Sequence, residues 1–210
     1  MLTIPQLIVE NEARWQKCEI TPSRSAEVTG VAVRLVAANP KGIYSQIQEL
    51  TGVPWHVIAV IHEREASQNF NDNIAQGDPW NRPSRHVPKG RGPFHSFIDA
   101  AVDALKNCAP KAANWKDWTA GGTLTILEEY NGLGYEQYHR EASPYNWGAT
   151  NQEEWGKYIN DGHWAHVWDT QVGCAAMFKA MMTLDKSIQF AVPPIPGIVQ
   201  RAENEIKKIL

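Results

Sequence analysis

The chain has 210 residues, and Lys+Arg 20 against Asp+Glu 23 gives a formal net charge of −3 at pH 7. That balance argues against a nucleic-acid partner, which needs a basic surface to neutralise phosphates. Hydrophobic residues at 43% and charged residues at 20% describe a globular chain with material for a core. No apolar run approaches the roughly 18–20 residues of a membrane span, so stable membrane insertion is not expected.

In chain order, residues 5–18 place Leu7, Ile8, Ala13 and Trp15 at mixed helical spacing. Residues 24–38 carry Val28, Val31, Val33, Leu35 and Val36 behind a Ser23 or Ser25 cap, and fit either a helix or a buried strand. Asn39-Pro40 breaks the pattern, and a short helix over 41–51 ends at Gly52. Pro54 suits the first position of a core helix through VPWHVIAVIHERE.

Residues 70–95 hold four Pro, three Gly and almost no periodicity, which predicts a long irregular loop. Helices are predicted again at 96–107 and 120–131, and a polar aromatic loop spans 132–165. A last core helix covers 168–184, with Phe97, Ala100, Ala101, Ala104 and Leu105 buried on the 96–107 helix. Strand signals are weak throughout, so the expected fold class is mainly α. The division is residues 1–186 as one helical domain and 187–210 as a Pro-rich connector with a short amphipathic helical tail. No internal repeat is visible.

Nine Trp and six Tyr, many in polar surroundings, suit stacking on sugar rings as well as core filling. Cys18, Cys108 and Cys174 are odd in number and form no CxxC pair. They argue against a disulfide framework or structural zinc, and for synthesis in a reducing compartment. The N-terminal stretch lacks a basic region and a long apolar run, so no standard secretory signal is expected. Histidines 56, 62, 163 and 166 lack a third ligand at zinc spacing and read as structural, so no metal or other cofactor is implied. Cys174, after Gly173 at a helix start, reads as a buried thiol more readily than a nucleophile.

The segment IAVIHEREASQNF ends an apolar helix in Glu63-Arg64-Glu65 just before a polar loop. A carboxyl at such a helix end is partly desolvated, which raises its pKa toward the range a general acid needs. Glu65 lies four residues after Ile61 and seven after Ile58, on their inward face, while Glu63 points about 200° away. A solvated helix end with surface ion pairs is the plainer alternative. Further on, LEEYNGLGY closes another helix with Tyr130, Asn131, Gly132 and Gly134, in isolation an ordinary C-terminal cap.

Taken together, a helix ending in Glu and a later helix ending in Tyr-Asn-x-x-Gly resemble the lysozyme-like superfamily. The nearest pattern is that of goose-type lysozymes and lytic transglycosylases. The stretches SPYNWGATNQEEWGKYINDGHW and GDPWNRPSRHVPKGRGPF resemble endolysin-type members. The resemblance covers residues 50–184, and the transglycosylase Gly-Leu-Met-Gln signature after the Glu is absent.

The resemblance implies a two-lobed helical domain whose substrate cleft is floored by the Glu65 helix and walled by long loops. It implies a peptidoglycan-cleaving glycosidase, with Glu65 protonating the β-1,4 oxygen between N-acetylmuramic acid and N-acetylglucosamine. An inverting hydrolase needs a second carboxylate about 6.5–9.5 Å away, for which Asp78 ranks first, then Asp72 and Glu63. A lytic transglycosylase needs none, because the muramic acid 6-hydroxyl attacks intramolecularly. Tyr130 and Asn131 would orient Glu65 or bind an acetamido group, and Tyr145, Asn146 and Trp147 would line sugar subsites. The partner is then the glycan strand, met by a monomer made in the cytoplasm and acting on the wall after release. The alternatives are a chitinase- or chitosanase-like enzyme, a peptidase or amidase, and a non-catalytic sugar-binding or virion module.

Overall fold

The computed structural model describes residues 2–160 and 162–192. The chain is mainly helical, and its first four helices follow one another with short connections. They are α1 (Ile4–Lys17), α2 (Ser25–Val36), α3 (Ala38–Thr51) and α4 (Trp55–Ala66). Residues 24–38 therefore form helix rather than strand, because Val28, Val31, Ala32 and Leu35 make one helical stripe that is buried. Neither Ser23 nor Ser25 caps α2 with its side chain, the capping position being Arg24. The break before α3 falls at Ala37, and Pro40 is accommodated in the first turn, where a missing N–H leaves no bond unmade. Gly52 then ends α3 with φ +75, a left-handed cap.

Helix α4 is buried from Trp55 to His62, with Pro54 as its capping residue. Its Val57, Ile58, Val60 and Ile61 sit in the main core with Leu35, Tyr44, Leu124 and Phe178. Full burial of each such side chain contributes about 1.5–3 kcal/mol. His56 and His62 are enclosed in this helix, and burial drives both down to about 4, so they are neutral at pH 7. The His62 ring nitrogen Nδ1 pairs with the Tyr44 hydroxyl at 2.9 Å.

After the 70–95 segment come α5 (Phe97–Asn107), capped by Ser96, and α6 (Ala120–Asn131), capped by Thr119. Helix α6 is buried from Ala120 to Glu128 and packs against α1. A side chain on Gly121 would run into the Ile8 carbonyl of α1, so the two helices approach at backbone distance. Beneath that contact Glu128 is buried, and burial pushes its carboxyl up to about 7. Asn11 donates its side-chain amide to Glu128 Oε2 at 3.4 Å.

A folded-state pKa above the ordinary carboxyl value adds stability at low pH that is lost as pH rises through about 7. Glu128→Gln is therefore expected to leave Tm unchanged at pH 4. At pH 8 it should raise stability by on the order of 3 kcal/mol. Thermal unfolding followed by circular dichroism at both pH values checks this, and an equal effect at the two would contradict it.

Residues 132–165 are more ordered than a loop. They contain a π-helical turn at Tyr135–His139 and the short helix α7 (Pro144–Trp147). An antiparallel hairpin follows, of β1 (Lys157–Asn160) and β2 (His163–Ala165). Helix α8 runs from Cys174 to Leu184, shorter than expected because residues 168–173 are drawn into polar contacts. Cys174 is buried at its start, and burial raises the thiol to about 12, which makes it inert as a nucleophile at neutral pH.

Past residue 186 the chain still packs. Ile188 is buried, Phe190 meets Trp15 and Phe178 edge-on, and Ala191 N–H donates to the Trp118 carbonyl. The amphipathic tail expected at 201–210 lies outside the described residues. Among the described residues no helix is long and apolar enough to cross a membrane.

Candidate active site

Glu65 occupies the last turn of α4, where the apolar stripe of the helix meets polar chain. Tyr145 on α7 donates its hydroxyl to Glu65 Oε1 at 2.9 Å. Oε2 has no protein partner among the described residues and is not sealed from solvent. Burial pushes the carboxyl up to about 7, outweighing the Tyr145 hydrogen bond and the nearby Arg64 charge, which both lower it. One oxygen is thus held and the other is free, on a group that is partly protonated at neutral pH.

Tyr145 also lines a groove of about 520 Å³. Asn131, Gly132 and Gly134 from the end of α6 share it, with Tyr158 and Ile159 of the hairpin. The groove's base is an ion network around Asp169, whose side chain is 1% exposed. Both Arg64 Nη atoms donate to its Oδ2, at 3.2 and 3.1 Å, and Lys157 donates to Oδ1 at 2.6 Å. Although burial raises the Asp169 carboxyl, the Arg64 and Lys157 partners take it below the usual range. The Arg64 guanidinium lies 4.6 Å above the Tyr145 ring, so the network also fixes the phenol that holds Glu65. At this helix end Arg64 is thus buried against Asp169, while Glu63 pairs outward with Arg34, whose side chain is half exposed.

Tyr130 lies beside Glu65, close enough for the carboxylate's charge to add to burial in raising its phenol. Its hydroxyl donates to the Ile74 carbonyl at 3.0 Å, so it ties the irregular segment to α6, and Tyr145 is the phenol that orients Glu65. Asn131 is exposed at the rim.

Asn146 and Trp147 are corrected from subsite lining to core. Both are fully buried, and Asn146 donates its amide to the Leu124 carbonyl at 2.7 Å. They present no face to a sugar and instead seat α7 so that Tyr145 reaches Glu65.

Asp78 sits within the 70–95 segment, which is stapled by its own hydrogen bonds. Its Oδ2 accepts from the Arg85 and His86 N–H groups at 2.8 and 2.9 Å, and its Oδ1 meets the His86 ring at 3.0 Å. Burial raises its carboxyl, but these bonds prevail and leave it below the ordinary value. Asp72, likewise, accepts from the Asn69 amide at 2.5 Å. Next to Asp78, Gly77 has φ +71, and a Cβ there would lie 2.8 Å from the Glu65 carbonyl oxygen. Glycine thus lets the segment lie directly on the end of α4.

Arg64, Lys157, Tyr158 and Asp169 were not legible as site residues. Arg64 belongs to the Glu63-Arg64-Glu65 run, but Asp169 is 105 residues away from it, at the expected start of the last helix, where the sequence gives no sign of a partner for Arg64. Among the described residues no cluster of three His, Cys, Asp or Glu is placed to hold a metal. No family model matches the chain, and neither a curated protein nor a solved structure matches it.

Proposed function

We propose that this protein is a glycosidase that cleaves the glycan strands of peptidoglycan, with Glu65 as the general acid. The observation that carries the reading is the Glu65 carboxyl itself: raised to about 7, held at one oxygen by Tyr145, with the other oxygen free. A group with those properties is suited to protonate a glycosidic oxygen at neutral pH, which supports the reading. The groove to which α4 contributes Arg64 would take the strand in a two-lobed, lysozyme-like arrangement, with Glu65 bonded to the Tyr145 that lines it. The chain would be made in the cytoplasm and meet the wall after release.

Between the two product chemistries, the bonding of Asp78 removes the first-ranked water-activating carboxylate, leaving Asp72 and Glu63, and so supports the route needing one carboxylate. An inverting hydrolase must spare a carboxylate for water, whereas both Asp78 oxygens already accept hydrogen bonds. In the one-carboxylate route Glu65 gives its proton to the leaving O4 as the C1–O4 bond breaks. The muramic acid O6 forms the new bond to C1, and its proton returns to Glu65. The product is a 1,6-anhydro sugar, lighter by one water than the hydrolysed one.

Mass analysis of soluble fragments from purified peptidoglycan tests both levels. Anhydro disaccharide-peptides support the one-carboxylate route, and reducing ends support hydrolysis. Cleavage of chitin oligomers in preference to peptidoglycan would move the protein to the chitinase-like enzymes. Intact strands with released peptides would indicate an amidase, and no cleavage a sugar-binding module.

Asp78→Asn separates a staple from a base. We expect a stability loss of about 2 kcal/mol from the disturbed charged hydrogen bonds, and less than a tenfold fall in rate at 25 °C. A fall of a hundredfold or more with unchanged Tm would instead make Asp78 the residue that activates water.

A further inference from the structure

A second groove, of about 710 Å³, shares Asp169 with the first. Its floor is strand-like: Ile20 pairs with Thr150, Thr21 N–H donates to the Ala149 carbonyl, and Asn151 N–H to the Glu19 carbonyl. Arg24 fastens the wall, donating to the Asp169 and Thr170 carbonyls at 2.8 and 2.7 Å. Over this frame stands Trp168, 58% exposed. It makes no ring–ring contact among the described residues, unlike Trp15, Trp55, Trp155 and Trp164. Trp80, Trp115, Trp118 and Trp147 also lack a ring contact but are buried or half-buried, so Trp168 is the tryptophan that offers an open aromatic face, of the kind on which a sugar ring stacks.

The polar atoms around it narrow the partner. The hydroxyls of Thr21, Ser23 and Thr170 line the groove without a hydrogen-bond partner among the described residues, and none is sealed from water. The charged lining groups are all engaged. Arg24 also pairs with Glu27, Glu153 accepts from the Asp169 and Ala149 N–H groups, and Asp169 is held by Arg64 and Lys157. A groove with its charges spent internally and its hydroxyls free suits an uncharged polyhydroxylated ligand better than an anion or a cation.

We propose that the groove beneath Trp168 is a second carbohydrate-binding site, in which the indole stacks on a sugar ring and the three hydroxyls bond its ring substituents. It goes beyond the Glu65 reaction and does not depend on it. Its use would be to grip a glycan strand away from the bond being broken.

The test uses the full chain carrying Glu65→Gln, so that the probe, chitotetraose, is not consumed. The indole N–H signal of Trp168 is identified in a nitrogen–proton correlation spectrum as the one lost in Trp168→Phe. We expect chitotetraose to shift it saturably, and inorganic phosphate to leave it in place. Adding Trp168→Ala should weaken retention on chitin about tenfold, while Trp168→Phe keeps most of it. Because Trp168 is exposed, Tm should move little in either variant. An unmoved Trp168 signal, a larger response to phosphate, or unchanged retention in Trp168→Ala would overturn the site. Retention that depends on Trp168 in a protein that cleaves no peptidoglycan would uphold it and discard the Glu65 reading alone.

Discussion

Glu65→Gln is expected to lower glycan cleavage by about 10²–10⁴-fold, the range of a lost general acid, without lowering Tm. The same carboxyl sets the pH profile. Its protonated form is the active one, so the wild-type rate should hold below about 7 and fall toward tenfold per pH unit above it. Stability follows the same sign. A pKa raised from 4.5 to about 7 gives the folded state an extra proton across that window, so stability drops as pH rises through it. Glu65→Gln removes this dependence and should therefore be the more stable protein at pH 8. Rates by reducing-end or fragment release, beside thermal unfolding at each pH, give both readouts. Full activity in the variant would end the assignment of Glu65.

Asp169→Ala should cost about 3–5 kcal/mol, the usual result of stripping one partner from a buried ion pair. For a chain of this size that corresponds to a Tm fall of roughly 10 °C. The reason is that Arg64, with its side chain 6% exposed, keeps its charge after losing its counter-charge. Adding Arg64→Met should recover part of the loss by removing the orphaned charge. It should not restore activity, because the cation over the Tyr145 ring is gone and Glu65 is no longer held in place. A stability loss under about 1 kcal/mol in Asp169→Ala would mean that water screens the network.

The helical skeleton was largely written in local pattern. The 3.6-residue spacing of Phe97, Ala100, Ala101, Ala104 and Leu105 gives α5 its buried face, and Pro54 with the run after it gives α4. Glu65 was legible for the same reason, since its register on α4 follows from Ile58 and Ile61. What could not be read are pairings made across the chain. Periodicity holds no information on which tyrosine meets Glu65, and motif order favoured Tyr130 where packing chose Tyr145. Asn146 and Trp147 misled because polar aromatic composition fits a sugar subsite and a buried turn equally well. Residues 168–173 stay out of the last helix because the N–H groups of Asp169 and Gln171 go to the side chains of Glu153 and Asp169, which no local pattern announces. Asp78 looked like a free acid because a turn aspartate and a catalytic one are identical in sequence.

The pairing of helices has a consequence for how the protein must be made. Helix α1 packs chiefly against α6, more than a hundred residues on, and α2 against α8, near the far end of the described chain. On the ribosome, the first two helices therefore emerge long before the surfaces that cover them. The α2 stripe, Val28 to Leu35, meets α3 and α4 early but gains its largest packing surface only when α8 follows. Phe190 meets Trp15 only after nearly all of the described chain has been synthesised, so the last contacts of the α1 surface join residues far apart in sequence.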